Sequence, residues 1–188
     1  MIISIKNISN PYIYFSIILI MLTNITCNAN NIPESIKKIK VEEQIKNLPN
    51  VSFTNLENKS KTLYEISKDK LLIINFWALW CVPCVKEMPA LNNLSKKLKN
   101  SDVKIIYINQ DSFKDYDKIK SFIKKLDFEE KNIFTDFDMS SNKTFKLRGI
   151  PTTLISNKAG EVLWRIEGII DWESKDIVFW LKNGAKRN

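Results

Sequence analysis

The feature that most restricts the fold is one stretch, residues 71–89, which reads LLIINFWALWCVPCVKEMP. Leu71 to Phe76 is an apolar run interrupted only by Asn75. It is long enough for a strand buried on both faces and too short to cross a membrane. After Cys81 the spacing turns helical: Cys84, Met88, Leu91, Leu94 and Leu98 fall on one face. Cys81 and Cys84 therefore stand where a strand gives way to a helix. Unpaired N–H groups and the positive end of the helix dipole favour a thiolate over a thiol at such a place. The two sulfurs are within one helical turn, so the pair can close on itself. Pro83 fits the first turn, where its missing N–H would have no partner anyway.

The rest of the chain arranges itself around that stretch. Residues 12–22 are mostly apolar, Lys6 is the only charge before them, and Cys27-Asn28-Ala29 offers small residues for a cut after Ala29. Residues 1–29 are therefore expected to be a signal peptide or an N-terminal anchor. Lipid attachment at Cys27 is the third reading, and Asn24-Ile25-Thr26 suits it poorly. Residues 30–50 are polar and rich in Lys and Glu, and are expected to be a linker. A single domain is expected over 51–185. Residues 51–56 and 60–63 suggest a hairpin turning at Glu57-Asn58-Lys59. A strand over 71–78, a helix over 83–99 and a strand over 103–109 make a βαβ unit. Asp111 or Ser112 is placed to cap the next helix, whose apolar face is Tyr116, Ile119, Phe122, Ile123 and Leu126. Residues 134–137 suggest an edge segment and 143–147 a helical turn. Strands over 152–156 and 161–167 form a second hairpin, the latter alternating Val162, Trp164 and Ile166 against Leu163, Arg165 and Glu167. Asp171 is placed to cap a last helix that buries Trp172, Ile177, Trp180 and Leu181 and stops at Gly184.

Composition narrows the chemistry. The chain of 188 residues has three cysteines and no histidine. That excludes a Cys-His protease, a haem histidine ligand and any histidine-containing zinc or copper site. Two clustered cysteines and a distant one do not make a disulfide scaffold. A zinc half-site lacks a second ligand pair, and a purely structural bridge across so short a loop would stabilise little. Redox exchange is favoured because the pair comes with its strand-to-helix context: Cys81 attacks a partner disulfide and Cys84 then resolves the mixed disulfide. The net charge of +8 comes with scattered lysines such as Lys96, Lys97, Lys99, Lys118, Lys120, Lys124 and Lys125. These read as solvated helix faces, and no aromatic-basic platform argues for nucleic acid.

Residues 75–84, NFWALWCVPC, followed by Glu87-Met88-Pro89 and by the late Gly149-Ile150-Pro151-Thr152-Thr153, resemble the TlpA/ResA-like branch of exported thiol–disulfide oxidoreductases. The resemblance covers nearly all of the expected domain. It implies an α/β thioredoxin-like fold, with a central mixed sheet flanked by helices and an N-terminal hairpin addition. It implies that Cys81 is the attacking cysteine, Cys84 the resolving one and Cys81–Cys84 the disulfide. Pro151 resembles the cis-proline beside that disulfide, and Pro89 the proline that kinks the active-site helix. Trp80, Val82, Pro83, Ile150 and Pro151 would meet a bound partner. Thioredoxin carries a buried aspartate six residues before its first cysteine, whereas this chain has Asn75 there. Glu87 resembles the buried glutamate of the ResA-like branch, close enough to Cys84 to exchange its proton.

The resemblance further implies a periplasmic reductant, soluble or held at the inner membrane through its N-terminus, that needs no cofactor and no metal. It would exchange disulfides with protein clients, of which the branch includes apocytochrome c and oxidase assembly proteins. A membrane thiol carrier would supply the electrons. A thiol oxidant of the same fold, and a module holding Cu(I) between Cys81 and Cys84, are the alternatives. Trp77, Trp164, Trp172 and Trp180 are expected to be packing residues.

Overall fold

A computed structural model gives the fold and describes residues 32, 38–183 and 185. The expected cut site, Cys27 and the Gly184 helix stop lie outside these residues. In chain order the elements are β1 (Ile39–Val41), β2 (Ser52–Asn55), β3 (Ser60–Thr62), α1 (Leu63–Ser67), β4 (Leu71–Trp77), α2 (Val82–Leu98), β5 (Val103–Asn109), α3 (Tyr116–Lys125), β6 (Ile133–Thr135), α4 (Ser141–Thr144), β7 (Thr152–Ser156), β8 (Val162–Glu167) and α5 (Lys175–Asn183). The strands form one mixed sheet in the order β1-β8-β7-β4-β5-β6-β2-β3.

β4 lies in the interior of that sheet, and all of its residues are buried. It runs parallel to β5, pairing Leu71 with Val103 and Trp77 with Asn109, and antiparallel to β7, pairing Phe76 with Thr152. Successive side chains point to opposite faces. Leu71, Ile73 and Trp77 join the core beneath α2, α3 and α5, with Met88, Leu91, Ile119 and Trp180. Leu72, Ile74 and Phe76 join the other core, with Phe53, Leu63, Phe145 and Leu154. A near-continuous apolar run is what a strand covered on both sides requires, and Asn75 is its one polar member. The C-terminal end of β4 therefore delivers Cys81 to a rim that the sheet holds rigid.

Several expectations are corrected. The second half of the 30–50 linker belongs to the sheet: β1 pairs with β8, and Ile39 and Ile45 are buried. Glu42 forms a buried ion pair with Arg165, accepts N–H bonds from Gln44 and Ile45, and Arg165 donates to Phe145 O at 2.9 Å. β1 and residues 42–47 bond along the edge of β8, so β8 is an interior strand, and Leu163 and Arg165 are buried along with Trp164. β6 is not an edge, because β2 pairs with it and carries the hairpin outward. The helical turn expected at 143–147 lies at Ser141–Thr144. Residue 63 opens α1 rather than ending a strand: Thr62 and Glu65 form a reciprocal capping box.

The cap assignments also change. Asp111 caps no helix; its carboxylate accepts from Leu79 N and Asn109 Nδ2, both at 2.7 Å. Ser112 precedes a 3₁₀ turn at Phe113–Asp115 without capping it through its side chain. Asp171 accepts from Glu173 N in the turn before α5, while Ser174 Oγ accepts from Ile177 N. Trp172 thus lies ahead of the helix. Among the described residues no helix is long and apolar enough to cross a membrane.

Candidate active site

α2 begins immediately after Cys81. The Cys81 sulfur takes the N-cap position and accepts the Cys84 N–H at 3.3 Å. Pro83 falls in the first turn, as expected, and Pro89 lies within the helix. Cys81 and Cys84 form a disulfide, with their Cα atoms 5.2 Å apart. The outer sulfur belongs to Cys81, which keeps 5 % of its surface, whereas Cys84 keeps none. Trp80 and Val82 flank it and are among the most exposed large apolar residues, at 60 % and 62 %. Pro83 is exposed as well.

The late motif returns to the same place through β7, the antiparallel neighbour of β4. The Ile150–Pro151 bond is cis. Ile150 O lies 3.6 Å from Cys81 Sγ, and Thr152 Oγ1 donates to Gly149 O at 2.6 Å. Pro151 is buried and Ile150 partly so. The structure therefore brings Trp80, Cys81, Val82, Pro83, Ile150 and Pro151 to one rim.

Behind the rim sits a buried polar cluster. Glu87, one turn along α2 from Cys84, is 5 % exposed. Side chains three apart on a helix have Cβ atoms about 5–6 Å apart. Asn75 Nδ2 donates to Glu87 Oε1 at 3.0 Å and to Thr153 Oγ1 at 3.0 Å. Trp172 Nε1 donates to Glu87 Oε2 at 2.9 Å. Burial raises the Glu87 pKa above the ordinary carboxylate value; the Trp172 and Asn75 hydrogen bonds and the charge of Lys38 act against that rise. Desolvation thus wins over two donors and a cation.

Two contributors escaped the sequence. Trp172 was expected only to pack, yet it also serves as a hydrogen-bond donor to the buried acid. Asp111 was expected as a helix cap, yet it holds Leu79 N, two residues before Cys81. Backbone bonds from Gln110 N to Trp77 O and from Cys81 N to Ala78 O complete that turn.

The thioredoxin-like sheet and its Cys-x-x-Cys disulfide at a helix start define a thiol–disulfide oxidoreductase, and comparison with known proteins agrees. The chain belongs to the AhpC/TSA family, whose model matches residues 45–165, and within the thioredoxin superfamily it is ResA-like. It is 35% identical over 123 residues to the thiol–disulfide oxidoreductase ResA of Bacillus thuringiensis subsp. konkukian, covering 65% of this chain and 69% of that protein. It is 28% identical over 120 residues to ResA of Bacillus subtilis, covering 64% of this chain and 65% of that protein. Among solved structures it resembles a DsbE-type thiol:disulfide interchange protein of Chlorobium tepidum, with a TM-score of 0.64 at 20% identity over 74% of this chain and 98% of that one. StoA of Bacillus subtilis matches with a TM-score of 0.57 at 23% identity over 70% and 98%.

Proposed function

We propose that the protein is an exported reductant of protein disulfides. The observation that carries the assignment of roles is the asymmetry of the pair: Cys81, at the helix start, keeps a little of its surface, while Cys84 keeps none and lies one turn from a buried acid. In the reduced enzyme the Cys81 thiolate attacks one sulfur of a client disulfide. The client's other sulfur leaves as a thiolate and takes a proton from solvent. Cys84 then gives its proton to Glu87, and its thiolate attacks Cys81 Sγ. The Cys81–Cys84 bond forms, the client's second sulfur leaves, and that thiolate takes the proton back from Glu87. Two electrons pass from the enzyme dithiol to the client disulfide.

Trp80, Val82 and Pro83 offer the client an apolar lip, and the Ile150 backbone beside Cys81 offers an edge for an extended segment. The ResA-like character supports the reducing direction, with cytochrome c maturation or oxidase assembly proteins as the client class and a membrane thiol carrier as the electron source. Residues 1–29 would carry the protein to the periplasmic side, cleaved or retained as an anchor.

The test is a Cys84→Ala variant expressed with its native N-terminus. It should accumulate mixed disulfides through Cys81 that a reductant dissolves. A reactive Cys81 that traps no protein would overturn the exchange role. Equilibration with glutathione separates the directions: a reductant's disulfide stays formed where glutathione is mostly reduced, while an oxidant's does not.

A further inference from the structure

The acid behind Cys84 is held from two directions. Asn75 reaches it from β4, the strand that leads into the cysteine motif. Trp172 reaches it from residues 168–174, the connection between β8 and α5, 85 positions along the chain. That connection is tied down on both sides. Lys38 Nζ donates to Ile169 O at 2.9 Å, and Asn93 Nδ2 on α2 donates to Glu173 Oε1 at 3.1 Å. Within it Trp172 N donates to Ile170 O at 3.1 Å. The indole is wholly buried. Trp77 and Trp180 are buried as deeply, yet their indole N–H groups find no partner among the described residues. This core accepts an indole without satisfying its donor, so packing alone does not account for aiming the Trp172 N–H at a carboxylate.

We propose that Trp172 is a positioning residue for the thiol–disulfide reaction: its indole N–H holds Glu87 in place and favours the carboxylate form that can take the proton of Cys84. The proposal rests on Glu87 as the proton acceptor and extends that reading to the C-terminal segment. The physics is a balance. Burial favours the neutral acid, and each N–H directed at the carboxylate favours the anion. If one donor is removed while burial persists, the pKa rises further, and the acid keeps its proton, unable to take another, to a higher pH than in the wild type. Among the described residues the charged and titratable groups around Glu87 are Lys38 from the segment before β1, Tyr107 from β5, and Cys81 and Cys84 once reduced. The Tyr107 hydroxyl donates to Leu91 O, and burial lifts its pKa far above neutrality, so it does not titrate with Glu87.

The experiment isolates resolution. A mixed disulfide is loaded between Cys81 and an arylthiol, and release of the arylthiolate by Cys84 is followed by absorbance across pH. In the wild type the rate should rise along a limb set by Glu87 ionisation. Trp172→Phe should move that limb upward by about one to two pH units, the worth of one hydrogen bond to a charged group, with the high-pH plateau retained. Glu87→Gln should abolish the limb, and adding Trp172→Phe to it should change nothing further. A Trp172→Phe profile that overlays the wild type, while Glu87→Gln alters it, overturns the role of Trp172 alone. An unaltered Glu87→Gln profile instead overturns the Glu87 reading and this proposal with it. Should Trp172→Phe fail to fold, the unsubstituted reduced protein decides. Its Trp172 indole ¹⁵N–¹H resonance should shift in step with the Glu87 carboxyl ¹³C resonance, and a resonance that ignores Glu87 overturns the proposal.

Discussion

The Asn75 side-chain nitrogen lies 3.0 Å from Glu87 Oε1, with both residues shielded from solvent. An aspartate at this position would set an acceptor against an acceptor and place two carboxyls in one buried site. Asn75→Asp is therefore expected to lose at least about 1–3 kcal/mol of stability near neutral pH. The pair would share a proton, and its folded-state pKa values would lie above the unfolded ones. Its relative stability should accordingly be greatest in acid and fall as pH rises. Urea unfolding midpoints across pH measure this, and a pH-independent difference from wild type would show that the aspartate escapes the cluster.

Glu87 itself makes stability depend on pH. Burial raises its folded-state pKa above the unfolded value. Its neutral form is the better tolerated one, so its contribution is fully present below the unfolded pKa and is lost as pH rises through the folded pKa. In Glu87→Gln that slope should vanish, and the variant should gain on the wild type as pH climbs above the ordinary carboxylate range and through the raised folded-state pKa. The fold can accept the amide: Asn75 Oδ1 has no hydrogen-bond partner among the described residues and can take the new Gln N–H if the Asn75 amide turns over. Parallel denaturation of the two oxidised proteins is the measurement.

Much of this site was legible because its signals are local. The apolar run, the cysteine spacing and the helical period fix β4 and α2, and β5 and β7 fall at the expected residues, Val103–Asn109 and Thr152–Ser156. What was not legible depends on distant partners. β1 is three residues long in a Lys/Glu-rich setting, and it is a strand because β8 is there to pair with it. β6 reads as an edge until the β2–β3 hairpin is laid beside it. An indole in a sequence gives no hint of which carboxylate it will meet. α1 is different: Thr62-Leu63-Tyr64-Glu65 carries the capping-box signature, and only the shortness of the helix hid it.

Asp111 holds the turn that presents Cys81. Its carboxylate accepts from Leu79 N and Asn109 Nδ2, and Asn109 Oδ1 accepts the Asp111 N–H at 3.0 Å. Asp111→Ala would leave one buried and one partly buried donor unpaired, at up to about 1–3 kcal/mol each, and lower Tm by about 2–4 °C per kcal/mol. It should also slow alkylation and exchange at Cys81 by loosening residues 78–81. Asp111→Asn keeps one oxygen able to accept both bonds and should retain most of the stability and rate. Thermal melts with thiol-reaction rates test both arms; equal loss in Asn and Ala would mean that the negative charge, not the acceptor, is what the turn requires.

The buried pair between Glu42 and Arg165 fastens β1 to the sheet. Their side chains are 1% and 6% exposed, and Glu42 also accepts from the Gln44 and Ile45 N–H groups. Removing the carboxylate alone leaves a guanidinium in the core with Phe145 O as its remaining acceptor. Glu42→Ala is therefore expected to destabilise by about 3–5 kcal/mol, most of it the cost of an uncompensated buried cation. If that is the cause, Glu42→Ala combined with Arg165→Leu should recover part of the loss, since the second change removes the stranded charge. Amide exchange should meanwhile quicken across residues 39–47 in the single variant before it does in β4 and β5. A double variant no more stable than Glu42→Ala would mean that the Glu42 bonds to the Gln44 and Ile45 backbone, rather than its charge, hold the strand in place.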